Sequence, residues 1–125
     1  AAVCSDHTPV SEDAKQLPFA EASPGATALE LLLPLILKWA EQDGLPLLTA
    51  LARVTSDPAA ILGIDAGSLA VGCPADVCVF DPCEPWQLLP EALSSQGKNT
   101  PFIGHEMTGR VRTTLVGGQV VFEAR

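Results

Sequence analysis

The sequence changes character near residue 63, and this change limits the possible folds more than any other feature. Before it, apolar residues recur at the spacing of amphipathic helices; after it, glycines alternate with short runs that favour β-strands. A strand-like segment also precedes the helices. We therefore predict an α/β chain with two parts: residues 1–63, holding a strand, a loop and helices, and residues 64–125, holding a small β unit with a long irregular loop.

Three helices are predicted in the first part. Thr27 and Glu30 have the spacing of a capping box, so the first helix is expected to begin there. It should kink or divide at Pro34 and end at Asp43-Gly44. The second helix is expected over roughly residues 46–54, and the third, capped by Ser56 or Asp57, is expected to stop at Gly63.

Four short strands are predicted in the second part, because runs of apolar and β-branched residues lie between turn residues there. They cover residues 68–71, 77–80, 110–116 and 119–122. Gly117-Gly118, between the last two, is typical of a two-residue hairpin turn.

Two loops are expected to bear on function. Pro24-Gly25 marks a tight turn whose glycine lets the backbone come close to another segment. Residues 84–109 contain several prolines and glycines and are expected to form one long loop. A loop of that length usually serves a site or wraps a neighbouring element.

The first ten residues hold the first candidate for chemistry. Ala1–Cys4 are small or apolar and run into Ser5-Asp6-His7, and Pro9 follows. We interpret this run as a buried strand with Asp6 near its carboxyl end, where barrel and open-sheet α/β enzymes place their chemistry. A carboxylate there can hold a metal or accept a proton. The alternative is that Asp6 and His7 cap the strand and satisfy backbone amides of a loop.

Charge and cysteine content narrow the class of protein. The net charge is −8, from seven basic and fifteen acidic residues, and no Lys/Arg cluster could neutralise phosphates, so nucleic acid is not expected as a partner. No segment is long and apolar enough to cross a bilayer, so no membrane partner is expected either. The four cysteines lack zinc-ribbon spacing, which favours free thiols in a cytoplasmic protein.

Several motifs together resemble one enzyme family. They are Ser5-Asp6-His7-Thr8-Pro9, Pro18-Phe19, Pro24-Gly25, Asp57-Pro58-Ala59, Gly67-Ser68-Leu69, Ala75-Asp76-Val77 and Gly97-Lys98-Asn99-Thr100-Pro101-Phe102. Taken in this order, they resemble the carboxyl-terminal part of dihydroorotases, which are cyclic-amide hydrolases of the amidohydrolase superfamily. The resemblance covers essentially the whole chain, although residues 67–77 are specific only to the superfamily.

The resemblance implies a fold and a set of roles. The fold would be the carboxyl-terminal piece of a TIM-barrel amidohydrolase, namely the last barrel strand plus helices, with a small β unit from the flanking composite β domain. Asp6 would be the catalytic residue and, in the complete barrel only, a metal ligand, whereas Pro24 and Gly25 would meet the substrate. Zinc is the family's cofactor, but this chain alone is expected to bind none and to be inactive.

Two departures from the family pattern leave the function open. Val10 stands where working members usually carry a histidine that grips the substrate carboxylate, and an apolar side chain cannot replace that contact. The chain also has only two histidines, His7 and His105, and lacks the family's His-x-His motif. His7 is expected to pack or support a site instead of ligating metal.

Three hypotheses follow. In the first, the chain is part of a dihydroorotase-like protein that is catalytically impaired and serves as a non-catalytic partner of aspartate carbamoyltransferase in an oligomer. In the second, it is part of an active zinc-dependent dihydroorotase that acts on a small-molecule substrate. In the third, it is part of an amidohydrolase of unrelated specificity, such as a hydantoinase-like protein.

Overall fold

The computed structural model describes residues 1–124 and has mixed helices and strands, which confirms the predicted α/β class. Its longest helix and its two longest strands have 11 residues each. In chain order the elements are α1 (Glu12–Lys15), a 3-10 turn (Leu29–Leu31), α2 (Leu32–Gln42), α3 (Leu47–Ala52), α4 (Ser56–Leu62), β1 (Val77–Gln87), a second 3-10 turn (Pro90–Ala92), β2 (Glu106–Val116) and β3 (Gln119–Glu123).

The three predicted helices are present, with small shifts at their ends. Pro34 does not kink α2, because it lies in the first turn, where its missing N–H would have no intrahelical partner. The division expected at Pro34 occurs earlier, where the 3-10 turn passes into α2. Gly63 ends α4 in the left-handed conformation, with φ of 65°, as its position predicted.

The strands form one antiparallel sheet in the order β1–β2–β3. Gly117 and Gly118 connect β2 to β3 with φ of 55° and 80°, which confirms the predicted hairpin turn. The predicted loop over residues 84–109 was too long, because residues 85–87 pair with residues 106–108 and lengthen both strands. Residues 68–71 are exposed and form no strand in the described structure, since nothing pairs with them.

The strand predicted within the first ten residues is not formed. Most of this segment is exposed, and its backbone hydrogen bonds go to two separate places: Val3 N donates to Arg53 O at 2.9 Å and Thr8 N donates to Ala26 O at 3.0 Å. A buried strand requires neighbouring strands on which to pair its N–H and C=O groups. The described residues supply no such neighbour, so the segment is held as a loop.

Two apolar clusters form the core. The first consists of Leu31, Leu88, Leu93 and Met107, with Leu35, Trp86 and Phe102 packed against it. The second consists of Ile36, Ala40 and Ala50, with Leu32, Trp39, Leu45 and Val54 around it. The first cluster takes residues from both sides of position 63, so α2 and the sheet share a core; the division into residues 1–63 and 64–125 stays a prediction.

Many large apolar side chains remain exposed, both on the helices and on loops and β3. They include Phe19, Leu48, Leu62, Leu69 and Phe122. An apolar groove of about 690 Å³ also lies between α2, α3 and β1. Within residues 1–124, no helix has the length and apolar character that a bilayer crossing requires.

Candidate functional site

Three segments that carry the family-like motifs meet in space, although they are far apart in the sequence. They are residues 6–9, 24–30 and 97–100, and we call this assembly the loop cluster. Three hydrogen bonds join the last two segments: Thr27 N donates to Asn99 O at 2.7 Å, Asn99 Nδ2 donates to Gly25 O at 3.2 Å, and Thr27 Oγ1 donates to Gly97 O at 2.5 Å. The hydrogen bond from Thr8 N to Ala26 O joins the first segment to the second.

Two glycines make the close packing of the loop cluster possible. A Cβ at Gly25 would lie 2.5 Å from Thr8 O and 2.8 Å from Thr8 Cγ2, and the φ of Gly25 is 128°. A Cβ at Gly97 would lie 2.8 Å from the Cβ of Pro9. Both positions therefore require glycine. The close backbone approach predicted at Gly25 is confirmed, whereas the predicted tight turn is wrong, because residues 23–28 form no turn. The name Pro24-Gly25 turn is kept below for this dipeptide.

Asp6 lies on the loop beside this turn, not at the end of a strand. Its side chain is exposed and its φ is 45°, which is uncommon for a residue with a Cβ. Thr8 Oγ1 donates to Asp6 O at 3.2 Å and so closes a short turn around it. Asp6 is two residues along the chain from Thr8, the residue that lies against Gly25. Its catalytic and metal-binding roles, and the substrate contacts of Pro24 and Gly25, stay predictions.

His7 has a defined role in the structure. Its Nδ1 accepts hydrogen bonds from the backbone N–H groups of Ala28 and Leu29, each at 3.1 Å. These amides begin the helical stretch that continues into α2, so the imidazole caps it. An Nδ1 that accepts two hydrogen bonds carries no proton, so Nε2 carries it. The alternative interpretation, in which Asp6 and His7 cap the strand and satisfy loop amides, holds only for the amide contacts of His7, because the strand does not form.

The predicted capping box at Thr27 and Glu30 is wrong, because both side chains bind the distant loop instead. Thr27 is fully buried and its Oγ1 donates to Gly97 O at 2.5 Å. The carboxylate of Glu30 accepts from Ser94 N and Ser95 N, each at 2.8 Å. The Thr27 amide, which a capping box would pair with Glu30, donates to Asn99 O instead, and His7 takes the amides of Ala28 and Leu29. Sequence spacing could not reveal these partners, which lie 64 to 70 residues away.

A cleft of about 900 Å³ opens beside the loop cluster, and His7 lines it. Its other walls come from the start of α2, from residues 92–95 and from the sheet. On the sheet side, the carboxylate of Glu84 pairs with Arg112. The Arg110 guanidinium lies 4.7 Å from the centre of the Trp86 ring. Of the loop cluster's first segment, His7 is the residue that faces this space.

The residues of this chain do not fit a zinc centre by themselves. Across residues 1–124, no group of three His, Cys, Asp or Glu side chains could hold a metal ion. A catalytic zinc needs about three protein ligands. Asp6 could supply one oxygen, while Nδ1 of His7 is occupied by two amides. Any zinc would need most of its ligands from outside this chain.

The buried Thr27 hydroxyl offers a direct test of the loop cluster. Thr27→Val keeps the shape but leaves Gly97 O without its donor, so we expect a loss of about 1–3 kcal/mol in the free energy of unfolding. Thr27→Ser retains the hydroxyl and should lose less. Urea denaturation followed by circular dichroism would measure both, and equal stability of the Val and Ser variants would contradict this hydrogen bond's role.

Comparison with known proteins agrees with this arrangement. The model described as "Amidohydrolase family" matches residues 18–122. A dihydroorotase of Geobacter sp. (strain M21) is 43% identical over 123 residues, which cover 98% of this chain and 29% of that protein. A dihydroorotase-like protein of Pseudomonas aeruginosa is 46% identical over 122 residues, again covering 98% of this chain and 29% of that protein. This chain thus spans less than a third of the length of these curated relatives.

Solved structures show the same fold. D-hydantoinase from Bacillus sp. AR9 superposes with a TM-score of 0.87 at 26% identity, over 98% of this chain and 28% of that one. Dihydropyrimidinase from Brevibacillus agri superposes with a TM-score of 0.88 at 24% identity, over the same shares. The predicted fold class, a piece of a TIM-barrel amidohydrolase, is confirmed by these matches. The family match over residues 18–122 and these superpositions establish that the chain belongs to the amidohydrolase family.

Proposed function

We propose that this chain is the carboxyl-terminal part of a dihydroorotase-like protein of pyrimidine biosynthesis, located in the cytoplasm. The family reaction interconverts N-carbamoyl-aspartate and dihydroorotate, a cyclic amide. The observation that carries the proposal is the loop cluster, in which three motifs resembling those of dihydroorotases join through hydrogen bonds. Identities of 43% to a dihydroorotase and 46% to a dihydroorotase-like protein support the same assignment.

In this proposal the loop cluster forms one wall of a substrate site. Asp6 is exposed and can accept or return a proton at its carboxylate. Pro24 and Gly25 present backbone to the substrate, while the amide of Asn99 holds Gly25 O in place. In this proposal, zinc is bound mainly by residues outside this chain, because the described residues do not form a zinc site.

We further propose that the protein is catalytically impaired and acts as a non-catalytic partner of aspartate carbamoyltransferase in an oligomer. The support is Val10, a half-buried apolar residue at the position where the family pattern has a histidine. An isopropyl group can neither donate a hydrogen bond to a carboxylate nor carry charge. The exposed apolar side chains of the helices would be available for assembly.

The alternative is an active zinc-dependent dihydroorotase that tolerates Val10. Relatives named dihydroorotase, at 38–43% identity, favour it. A hydantoinase-like specificity has less support, because the hydantoinase structures are only 21–32% identical over the matched residues.

Turnover by the complete protein would separate the two proposals. The reading frame that contains this chain should be expressed in full, supplied with zinc and assayed with dihydroorotate. The impaired protein is expected to show no turnover above a zinc-free blank. It should also elute with aspartate carbamoyltransferase on size exclusion. Clear turnover would reject impairment, and separate elution would reject the partnership.

Val10 can be tested in the same assay. Val10→His restores a side chain that can bind a carboxylate, so it should raise turnover if that contact is what the protein lacks. Val10→Ala is the matched control, since it changes size without adding a polar group. Equal activity of the two variants would show that Val10 is not the cause of impairment.

A further inference from the structure

We propose that His7 is a positioning residue, which holds the backbone of Asp6 in its left-handed conformation beside the Pro24-Gly25 turn. A chemical role for Asp6 rests on the proposed function. The contacts that hold Asp6 lie within this chain, and they give His7 a role distinct from metal binding.

The His7 ring anchors the loop to the start of the helical stretch. The N–H groups at the start of a helix have no partner within the helix, and a capping side chain usually satisfies one of them. Here no side chain of the preceding residue does so, and His7 Nδ1 accepts from both Ala28 and Leu29. The following helix packs in the core through Leu31 and Ile36. His7 is thus tied to a rigid part of the fold.

Asp6, the residue before His7, has a strained backbone. Asp6 has φ of 45°, and a residue with a Cβ keeps such a conformation only where its surroundings impose it. Four contacts do so. Before Asp6, Val3 N donates to Arg53 O. After it, the His7 ring binds the helical stretch, Thr8 N donates to Ala26 O, and Thr8 Oγ1 donates to Asp6 O.

The His7 ring contributes a restraint that Thr8 does not supply. The Thr8 hydroxyl donates to Asp6 O at 3.2 Å, but this contact lies within the loop and does not connect the loop to the helical stretch. His7 is the next residue after Asp6. Because its ring is held by the amides of Ala28 and Leu29, the orientation of the peptide bond between Asp6 and His7 is restrained. Without the ring, we expect the contacts within the loop to be too weak to keep Asp6 at positive φ. The exposed carboxylate then loses the direction that the left-handed backbone gives it.

The test is nuclear magnetic resonance on the 125-residue chain, with no metal or substrate. The sign of φ at Asp6 is read from its HN–Hα coupling and cross-correlated relaxation, and the His7 tautomer from its ring nitrogen shifts. Exchange of the Ala28 and Leu29 amides with solvent is measured in the same samples. The variants are His7→Ala, His7→Asn and, as matched control, His105→Ala, which removes the other histidine from an exposed loop.

We expect the unmodified chain to have positive φ at Asp6 and the proton of His7 on Nε2. His7→Ala should speed exchange at the two amides by about tenfold and remove the positive φ signature. His7→Asn, whose oxygen can accept in place of Nδ1, should restore both, and His105→Ala should change neither. Restoration by Asn also shows that loss in the Ala variant is not general unfolding.

Two results would overturn the proposal. One is positive φ at Asp6 in the His7→Ala variant despite faster amide exchange, which would reduce His7 to a helix cap. The other is a proton on Nδ1 in the unmodified chain. Neither result bears on the proposed function, because no catalysis is measured here. The proposed function is tested separately, by turnover of the complete protein.

Discussion

Replacing Gly25 by alanine is expected to lower the free energy of unfolding by about 2–4 kcal/mol, because two costs add. The φ of 128° is almost closed to a residue with a Cβ, and the new Cβ would lie 2.5 Å from the backbone oxygen of Thr8. The backbone of Thr8 cannot move away without breaking its hydrogen bond to Ala26 O. Denaturation in urea, followed by circular dichroism, measures the change.

Gly44→Ala is the matched control for this variant. Gly44 also has positive φ, at 63°, but nothing lies within 4 Å of the added Cβ. Its cost should therefore be limited to the conformational term, about 1 kcal/mol. If the two variants lost the same stability, the close contact between the first segment and the Pro24-Gly25 turn would not exist in solution.

Leu31→Ala is expected to cost about 3–4 kcal/mol, since it removes a fully buried side chain from the cluster that joins α2 to the sheet. Leu31 is also the last residue of the 3-10 turn that His7 caps. A cavity there should loosen the loop cluster as well as the core. Thermal unfolding would show the loss as a lower melting temperature.

Leu48→Ala provides the comparison, because the Leu48 side chain is 80% exposed. Its effect should stay within about 0.5 kcal/mol. A small effect of Leu31→Ala, similar to that of Leu48→Ala, would mean that the helices and the sheet do not share this core.

The sequence could predict those elements whose signals lie in adjacent residues. Gly63 ends α4 because only a residue without a Cβ takes a left-handed φ readily. The hairpin follows from Gly117-Gly118 for the same reason, and the apolar spacing of α2 reflects which side chains reach the core. These features do not depend on distant partners, so a local pattern is sufficient to identify them.

Other expectations failed where distant partners decide the outcome. The spacing of Thr27 and Glu30 is compatible with a capping box, but Gly97 and the amides of Ser94 and Ser95 bind these side chains instead. The apolar run at the start of the chain is compatible with a buried strand. It lacks neighbouring strands in the described residues, so its hydrogen bonds go elsewhere.

The candidate site could be predicted from the sequence only in part. Resemblance to a family identified the segments that meet in the loop cluster, and the Pro-Gly dipeptide predicted the close approach at Gly25. No pattern in the sequence indicated that His7 caps the helical stretch at Ala28, or that Asp6 takes positive φ. Both depend on how three separate loops pack together, which sequence spacing does not encode.

Nuclear Overhauser effects within the loop cluster test the account most directly. The account predicts strong effects between the Thr8 methyl group and the α-protons of Gly25, and between the β-protons of Pro9 and the α-protons of Gly97. These pairs should be visible in the chain without metal or substrate. Their absence, in a sample whose β1–β2 cross-strand effects are present, would show that the segments do not meet and would contradict the account.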